Sequence, residues 1–133
     1  MSAAVTIDFM GRPLLANQAH QMNHHQLAPI RKGYRDGAAT LARAQRIPHH
    51  DAVTVTAHAE YPTRRSLPDA DAIAPSVKSI IDGLVDAGVI DDDGPAYVHS
   101  VTYLAPRVVP GCTPAVVVEI TESPRVHGNG EQE

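Results

Sequence analysis

Between residues 53 and 60, apolar and polar side chains alternate without a break. Val53, Val55, Ala57 and Ala59 fall on one side, and Thr54, Thr56, His58 and Glu60 on the other. Only an extended chain puts every second side chain on the same face, so this segment predicts a half-buried strand ending at Tyr61-Pro62. The period then changes. Ile73, Val77, Ile80, Ile81 and Leu84 cluster on about a third of a helical wheel, which predicts one amphipathic helix over Ile73 to Val89. Pro75 suits its first turn, and Gly88 after Ala87 is a stop signal. A strand leading into such a helix needs a sheet for the helix to cover.

The remaining segments extend that frame. Val5 to Phe9 alternates and reads as a first strand, and Gly11 to His25 as a long polar loop. After Pro29 the Ala-rich stretch from Arg31 to Gln45 favours helix, with Gly37 a weak point. Val98 to Ala105 and Ala115 to Thr121 read as strands, joined by a hairpin connection over Pro106 to Pro114. The expectation is an α/β (α+β) fold in the order β-α-β-α-β-β, a mixed four-stranded sheet with two main helices. Residues 1–122 would form one domain and 123–133 a flexible tail.

With 133 residues the chain is long enough for a modest core. Aromatic residues make up 4% and tryptophan is absent, so that core must be built from Val, Ile, Leu and Ala. The lone Cys112 allows no internal disulfide and is consistent with a reducing cytoplasm. The first residues lack the basic and apolar regions of a signal peptide, and no segment approaches the roughly 20 apolar residues of a membrane span. The expected location is the cytoplasm, with no membrane partner. Charge is segregated: residues 1–65 carry eight basic side chains against four acidic ones, and residues 66–133 three against eleven. Such a division suits a basic surface for a polyanion beside an acidic pocket for a metal ion.

The acidic residues have a pattern of their own. Asp69 and Asp71 are two apart, so on an extended segment their side chains share a side. The run Asp91-Asp92-Asp93 follows one helix-length later, and Lys78 lies between. Mg2+ takes oxygen ligands, keeps several waters and is commonly held by a few carboxylates plus substrate phosphate. A nearby lysine can bind that phosphate or steady the attacking water. Each residue also has a plainer use. Asp71 can cap the helix, the Asp triplet can form a turn, and Lys78 with Asp82 can be a surface pair worth about 0.3–0.5 kcal/mol. An EF-hand is excluded, because Ile73 and Ala74 stand where a ligand and the turn glycine are required. The histidines His20, His24 and His25 read as surface or DNA-backbone contacts, and Cys112 lacks the partners of a nucleophile.

Asp69-Ala70-Asp71, then Lys78, Asp82, Gly88 and Asp92-Asp93, resembles the RusA-type Holliday-junction resolvase family. That family has a D-x-D-N segment, a helix with Lys and Asp four apart, then a glycine and a D-D pair before a strand. Arg31-Lys32-Gly33-Tyr34-Arg35-Asp36 looks like its approach to the first helix, and Asn17 lies in the counterpart of its Asn-rich loop. The likeness spans most of residues 5–122. In this chain Ala72 replaces the asparagine, and the step from Asp71 to Lys78 is longer and contains Pro75.

The resemblance implies a homodimeric, Mg2+-dependent endonuclease, with Mn2+ able to substitute, that makes paired nicks in a four-way DNA junction. It would act in recombination, repair or phage replication, in a bacterial cell or a phage-infected host. Asp69 and Asp71 correspond to the family's essential acids, Lys78 to its lysine, and Asp93 to the essential acid of the D-D pair. Register counted from Val98 instead favours Asp92, so the third metal ligand is Asp92 or Asp93. Arg31, Lys32, Arg35, Arg64 and Arg65 are expected to position the duplex arms. Two other readings fit the residues: a branched-DNA-binding protein without activity, and a small metal-dependent nucleotide hydrolase.

Overall fold

A computed structural model describes residues 2–8 and 14–124. Phe9, Gly11, Pro13 and the tail from residue 125 onward lie outside the described residues. Strand β1 (Ser2–Asp8) is followed by helices α1 (Ala16–Gln21) and α2 (His24–Ala44). Then come β2 (Val53–Tyr61), a 3-10 turn (Ala70–Ile73), α3 (Ala74–Asp86), β3 (Val98–Tyr103), β4 (Arg107–Val108) and β5 (Ala115–Glu122). The expected α/β fold is present, as a mixed sheet covered on one face by helices. Among the described residues no helix is long and apolar enough to cross a membrane.

The strand read from the alternation of residues 53–60 is the hub of the sheet. β2 pairs antiparallel with β5 on one side and parallel with β3 on the other, and β1 joins the far edge of β5. The expected hairpin between the last two long strands is therefore wrong. β3 and β5 lie on opposite sides of β2. β3 returns through α3 and lies parallel to β2, the pairing a helical crossover permits, and it ends the main strand order. β5, between β1 and β2, has Ala115, Val116, Val117 and Val118 all buried. The chain from 104 to 114 crosses the end of β2, where β4 adds a short fifth strand through Glu60↔Arg107 and Tyr61↔Val108.

The helices also depart from expectation. Residues 14–25 are not an open loop, because α1 forms there and α2 begins at His24, well before Arg31. Asn23 and Gln26 explain the early start. The Gln26 N–H donates to Asn23 Oδ1 and the Asn23 N–H donates to Gln26 Oε1, each at 3.0 Å. This reciprocal cap satisfies two amide groups that a bare helix end would leave unpaired. Pro29 sits inside α2, where it forgoes one backbone hydrogen bond. α3 ends as its glycine signals: Gly88 takes φ +80°, Gly88 N–H donates to Val85 O, and Val89 N–H donates to Leu84 O, both at 3.0 Å. At the other end Ser123, expected to start a frayed tail, is buried. Its N–H donates to Ala52 O at 2.9 Å.

The core is aliphatic, as the scarcity of aromatic residues demands. Val5, Ile7, Val53, Val55, Ala57, Val116, Val118 and Ile120 supply the sheet face, and Val77, Ile80, Ile81 and Leu84 the facing stripe of α3. From α2 come Tyr34, Ala38 and Ala42. α2 and α3 approach so closely that a Cβ at Gly83 would lie 2.2 Å from the Arg35 carbonyl oxygen and 2.8 Å from Ala38 Cβ. That contact is backbone against backbone and cannot be relieved by a rotamer change.

Two glycine replacements should therefore act in opposite directions. Gly83→Ala forces the helices apart and is expected to cost about 2–3 kcal/mol. At Gly33, in the middle of α2, a Cβ meets nothing within 4 Å. Gly33→Ala should stabilise by about 0.5–1 kcal/mol through helix propensity. Urea unfolding midpoints of the two variants check the sign of each.

Candidate functional site

β2 delivers the chain to an exposed connection over residues 62–69 that carries Arg64 and Arg65. Asp69 is extended, at φ −64° and ψ 158°, and its carbonyl accepts from Ala72 N–H at 3.1 Å to open the 3-10 turn. Asp71 lies within that turn, so the two carboxylates are not on the same side of a continuous extended segment, as the spacing had suggested. The Asp69 side chain makes no capping hydrogen bond, which leaves both carboxylates exposed. α1, the segment holding Asn17, packs against this turn. Tyr103, at the end of β3, feels Asp71: burial first, then the Asp71 charge, pushes its hydroxyl pKa up.

Lys78 stands one turn further along, on the outer side of α3. Its ammonium donates to Asp82 Oδ1 at 3.3 Å and to the Asp93 carboxylate. The three aspartates after α3 thus separate by partner. Asp91 Oδ1 is 3.1 Å from His49 Nε2. Asp92 Oδ1 accepts the Asp93 N–H at 2.7 Å and so stiffens its own turn. Asp93 alone turns back toward α3.

Opposite Lys78 lies the first half of α2. A cleft of about 770 Å³ runs between the two helices, with His24, Arg31, Lys32 and Arg35 on one wall and Lys78, Asp82 and Asp86 on the other. Lys32 Nζ donates to Asp36 Oδ2 at 2.7 Å, along its own helix. Arg35 holds Asp86 with both prongs of its guanidinium, Nε to Oδ2 at 2.6 Å and Nη2 to Oδ1 at 2.8 Å. Arg43 Nη2 donates to the Asp86 carbonyl at 3.2 Å. The Arg35 fork holds the Asp86 carboxyl below the usual carboxylate range, and Asp86 raises the Arg35 guanidinium in turn. Arg31 makes no ion pair among the described residues.

The structure brings together Lys78 and Asp93, and places Arg31, Lys32 and Arg35 across the cleft from Lys78. It leaves Arg64 and Arg65 on the neighbouring exposed loop, outside the cleft lining. Asp69, Asp71 and Asp93 are oxygen donors whose chemistry suits a hard divalent cation, and the ammonium of Lys78 already seats a cation on Asp93. They do not converge: among the described residues no three His, Cys, Asp or Glu side chains gather as a metal cluster, and none of these three lines the cleft. Asp82 and Asp86 were not among the expected site residues, yet both line the cleft. Their signal was the spacing Lys78, Asp82, Asp86, one helical stripe of i, i+4 and i+8. No protein-family model and no curated protein matches the sequence.

The Arg35–Asp86 fork gives a pH test. Because Asp86 has a depressed pKa when folded, its contribution to stability is complete above the ordinary value of 3.8 and is lost as pH falls through the lower folded value. Asp86→Asn should be less stable than the native chain at pH 7, and the gap should close toward pH 3. Thermal melts of both proteins across that range check it.

Proposed function

We propose that the chain is a Mg2+-dependent, structure-selective DNA endonuclease that acts as a homodimer on four-way junctions and related branched DNA. One observation carries the reading. Lys78 and Asp93, 15 residues apart, meet beside α3, directly after the turn that bears Asp69 and Asp71 and across a cleft from Arg31, Lys32 and Arg35. These residues and their order are the ones on which the resemblance to RusA-type resolvases rests.

In this reading the cleft receives a phosphate-bearing strand. Arg31 meets the backbone first, because its guanidinium is not committed to a carboxylate. Lys32 and Arg35 add positive field from the same wall, with Arg35 held in place by Asp86. Arg64 and Arg65, on the loop before Asp69, contact the adjoining duplex arm. Asp69, Asp71 and Asp93, with Asp92 as the stiffening neighbour, would hold Mg2+, or Mn2+ in its place. The ion would supply charge neutralisation at the scissile phosphate and a lowered pKa for the attacking water. Lys78 then serves the phosphate side of the site, where an ammonium opposes the charge that develops on oxygen. Two copies related by a two-fold axis would present two such sites to the symmetric strands of a junction. Action in a bacterial or phage-infected cytoplasm belongs to the same reading.

A second reading has its own support. The carboxylates do not converge among the described residues, and Ala72 occupies the place of the family's asparagine, features suited to a chain that binds branched DNA without cutting it. Incubation with four-way junction, fork and linear duplex, in Mg2+ and in EDTA, separates the two.

For the nuclease reading, Asp71→Asn should lower junction nicking at least about a hundredfold while leaving junction affinity within about threefold. Gel-based cleavage and mobility-shift assays on the same junction measure both. Nicking by the variant at the native rate would remove Asp71 from the site.

A further inference from the structure

We propose that the outer edge of β3 is the surface through which two copies of this chain pair, antiparallel about a two-fold axis at Thr102. The inference deepens the nuclease reading, which calls for two sites and leaves open which surface joins them. β3 ends the main strand order, and among the described residues no strand pairs with its outer edge. Four large apolar side chains are exposed among the described residues, and three of them, Val101, Leu104 and Val109, follow this edge. Leu104 N–H donates to Ala57 O at 2.9 Å and Val109 N–H to Tyr61 O at 2.8 Å, so the chain from β3 into β4 stays beside β2.

The backbone selects the register. In a parallel ladder alternate residues turn their amide groups toward the neighbour. Leu104 N–H turns to β2, and Thr102 with it, so Val101 and Tyr103 present theirs outward. A two-fold at Thr102 sets Val101 of one copy opposite Tyr103 of the other, where they exchange both their N–H···O bonds. These two residues lie opposite Val55 and Ala57, on the helix-covered side of the sheet. An exposed valine and a half-buried tyrosine therefore pack across the joint. Charge and proline favour a second copy over a foreign strand. Residues 98–104 hold no Asp, Glu, Lys, Arg or Pro, so two copies meet without like charges, and nothing there keeps exposed strands apart. Just beyond, Pro106 has no N–H to offer and Arg107 is exposed. A strand running the whole edge meets both, whereas a symmetric pair centred on Thr102 needs only Ser100 to Leu104. An antiparallel joint also keeps the helices of both copies, and both turns bearing Asp71, on one face of a continuous sheet.

Sedimentation equilibrium of the full-length chain without DNA is the test, and the native chain should dimerise. Thr102→Lys and Thr102→Glu each set like charge against like charge at the axis and should weaken self-association about tenfold. An equal mixture of the two should return to within about threefold of native. Thr102 is exposed, so neither side chain enters the core. A second variant does not depend on charge. Residues facing each other at such a non-hydrogen-bonded position have Cα atoms about 4.5 Å apart, within reach of a disulfide. Thr102→Cys, in a chain with Cys112→Ser, should cross-link into a covalent dimer under mild oxidation. A monomeric native chain overturns the interface, as do charged variants that dimerise as tightly as native. A mixture no tighter than either variant alone, or a cysteine that fails to cross-link, does the same. Pairing and cleavage are read separately. If the chain pairs through Thr102 and cuts no DNA, the interface stands and the nuclease reading fails. If it cuts junctions and Thr102→Lys stays dimeric, only the interface fails.

Discussion

Everything in the cleft depends on how closely α2 can lie against α3. Gly83 is the point of contact, with the Arg35 carbonyl and Ala38 filling the space where its side chain would be. Close approach of this kind brings dispersion and apolar burial at the cost of any tolerance for bulk. It also fixes a distance. Arg35 reaches Asp86, three residues beyond Gly83, only because the two backbones are already in contact there. The ion pair does not draw the helices together, since it is too exposed to supply much energy. It selects one rotation of α2 about its axis. That rotation turns Arg31 and Lys32 toward Lys78.

Charge segregation along the chain becomes segregation across a groove. The basic first half contributes α2, and the acidic second half contributes α3 and the turns at its two ends. Most cations and carboxylates of the cleft are nevertheless paired: Lys32 with Asp36, Arg35 with Asp86, Lys78 with Asp82 and Asp93. Among the described residues Arg31 is the exception on the basic wall, with no carboxylate partner.

Sequence periodicity made the centre of the fold legible and left its pairings obscure. The 53–60 alternation identified β2, and Pro75 and Gly88 bracketed α3, because these signals are local. Strand partners are not local. β5 declared itself a buried strand through its run of valines, but nothing within Ala115 to Glu122 says whether it joins β3 or β2. The helix from His24 has a local signal as well: Asn23 with Gln26 three residues on is a capping pair, masked by a polar, histidine-rich stretch that resembles a loop. In the candidate site, spacing singles out Lys78 and the D-D pair, and the structure pairs Lys78 with Asp93. The fork between Arg35 and Asp86 is beyond the reach of spacing, since 51 residues separate its partners and only helix packing unites them.

The same limit explains why the aspartate triplet could not be resolved from sequence. Asp91, Asp92 and Asp93 have identical side chains, and counting from either end gives a different answer. Their partners distinguish them: His49 for Asp91, the turn's own backbone for Asp92, and the helix lysine for Asp93. A turn of three like charges would repel itself if all three faced one way. Distributing them among a histidine, an amide and an ammonium relieves that repulsion while turning one carboxylate back to α3. The pair on Asp93 follows from this distribution, because the carboxylate that faces the helix meets the cation the helix supplies.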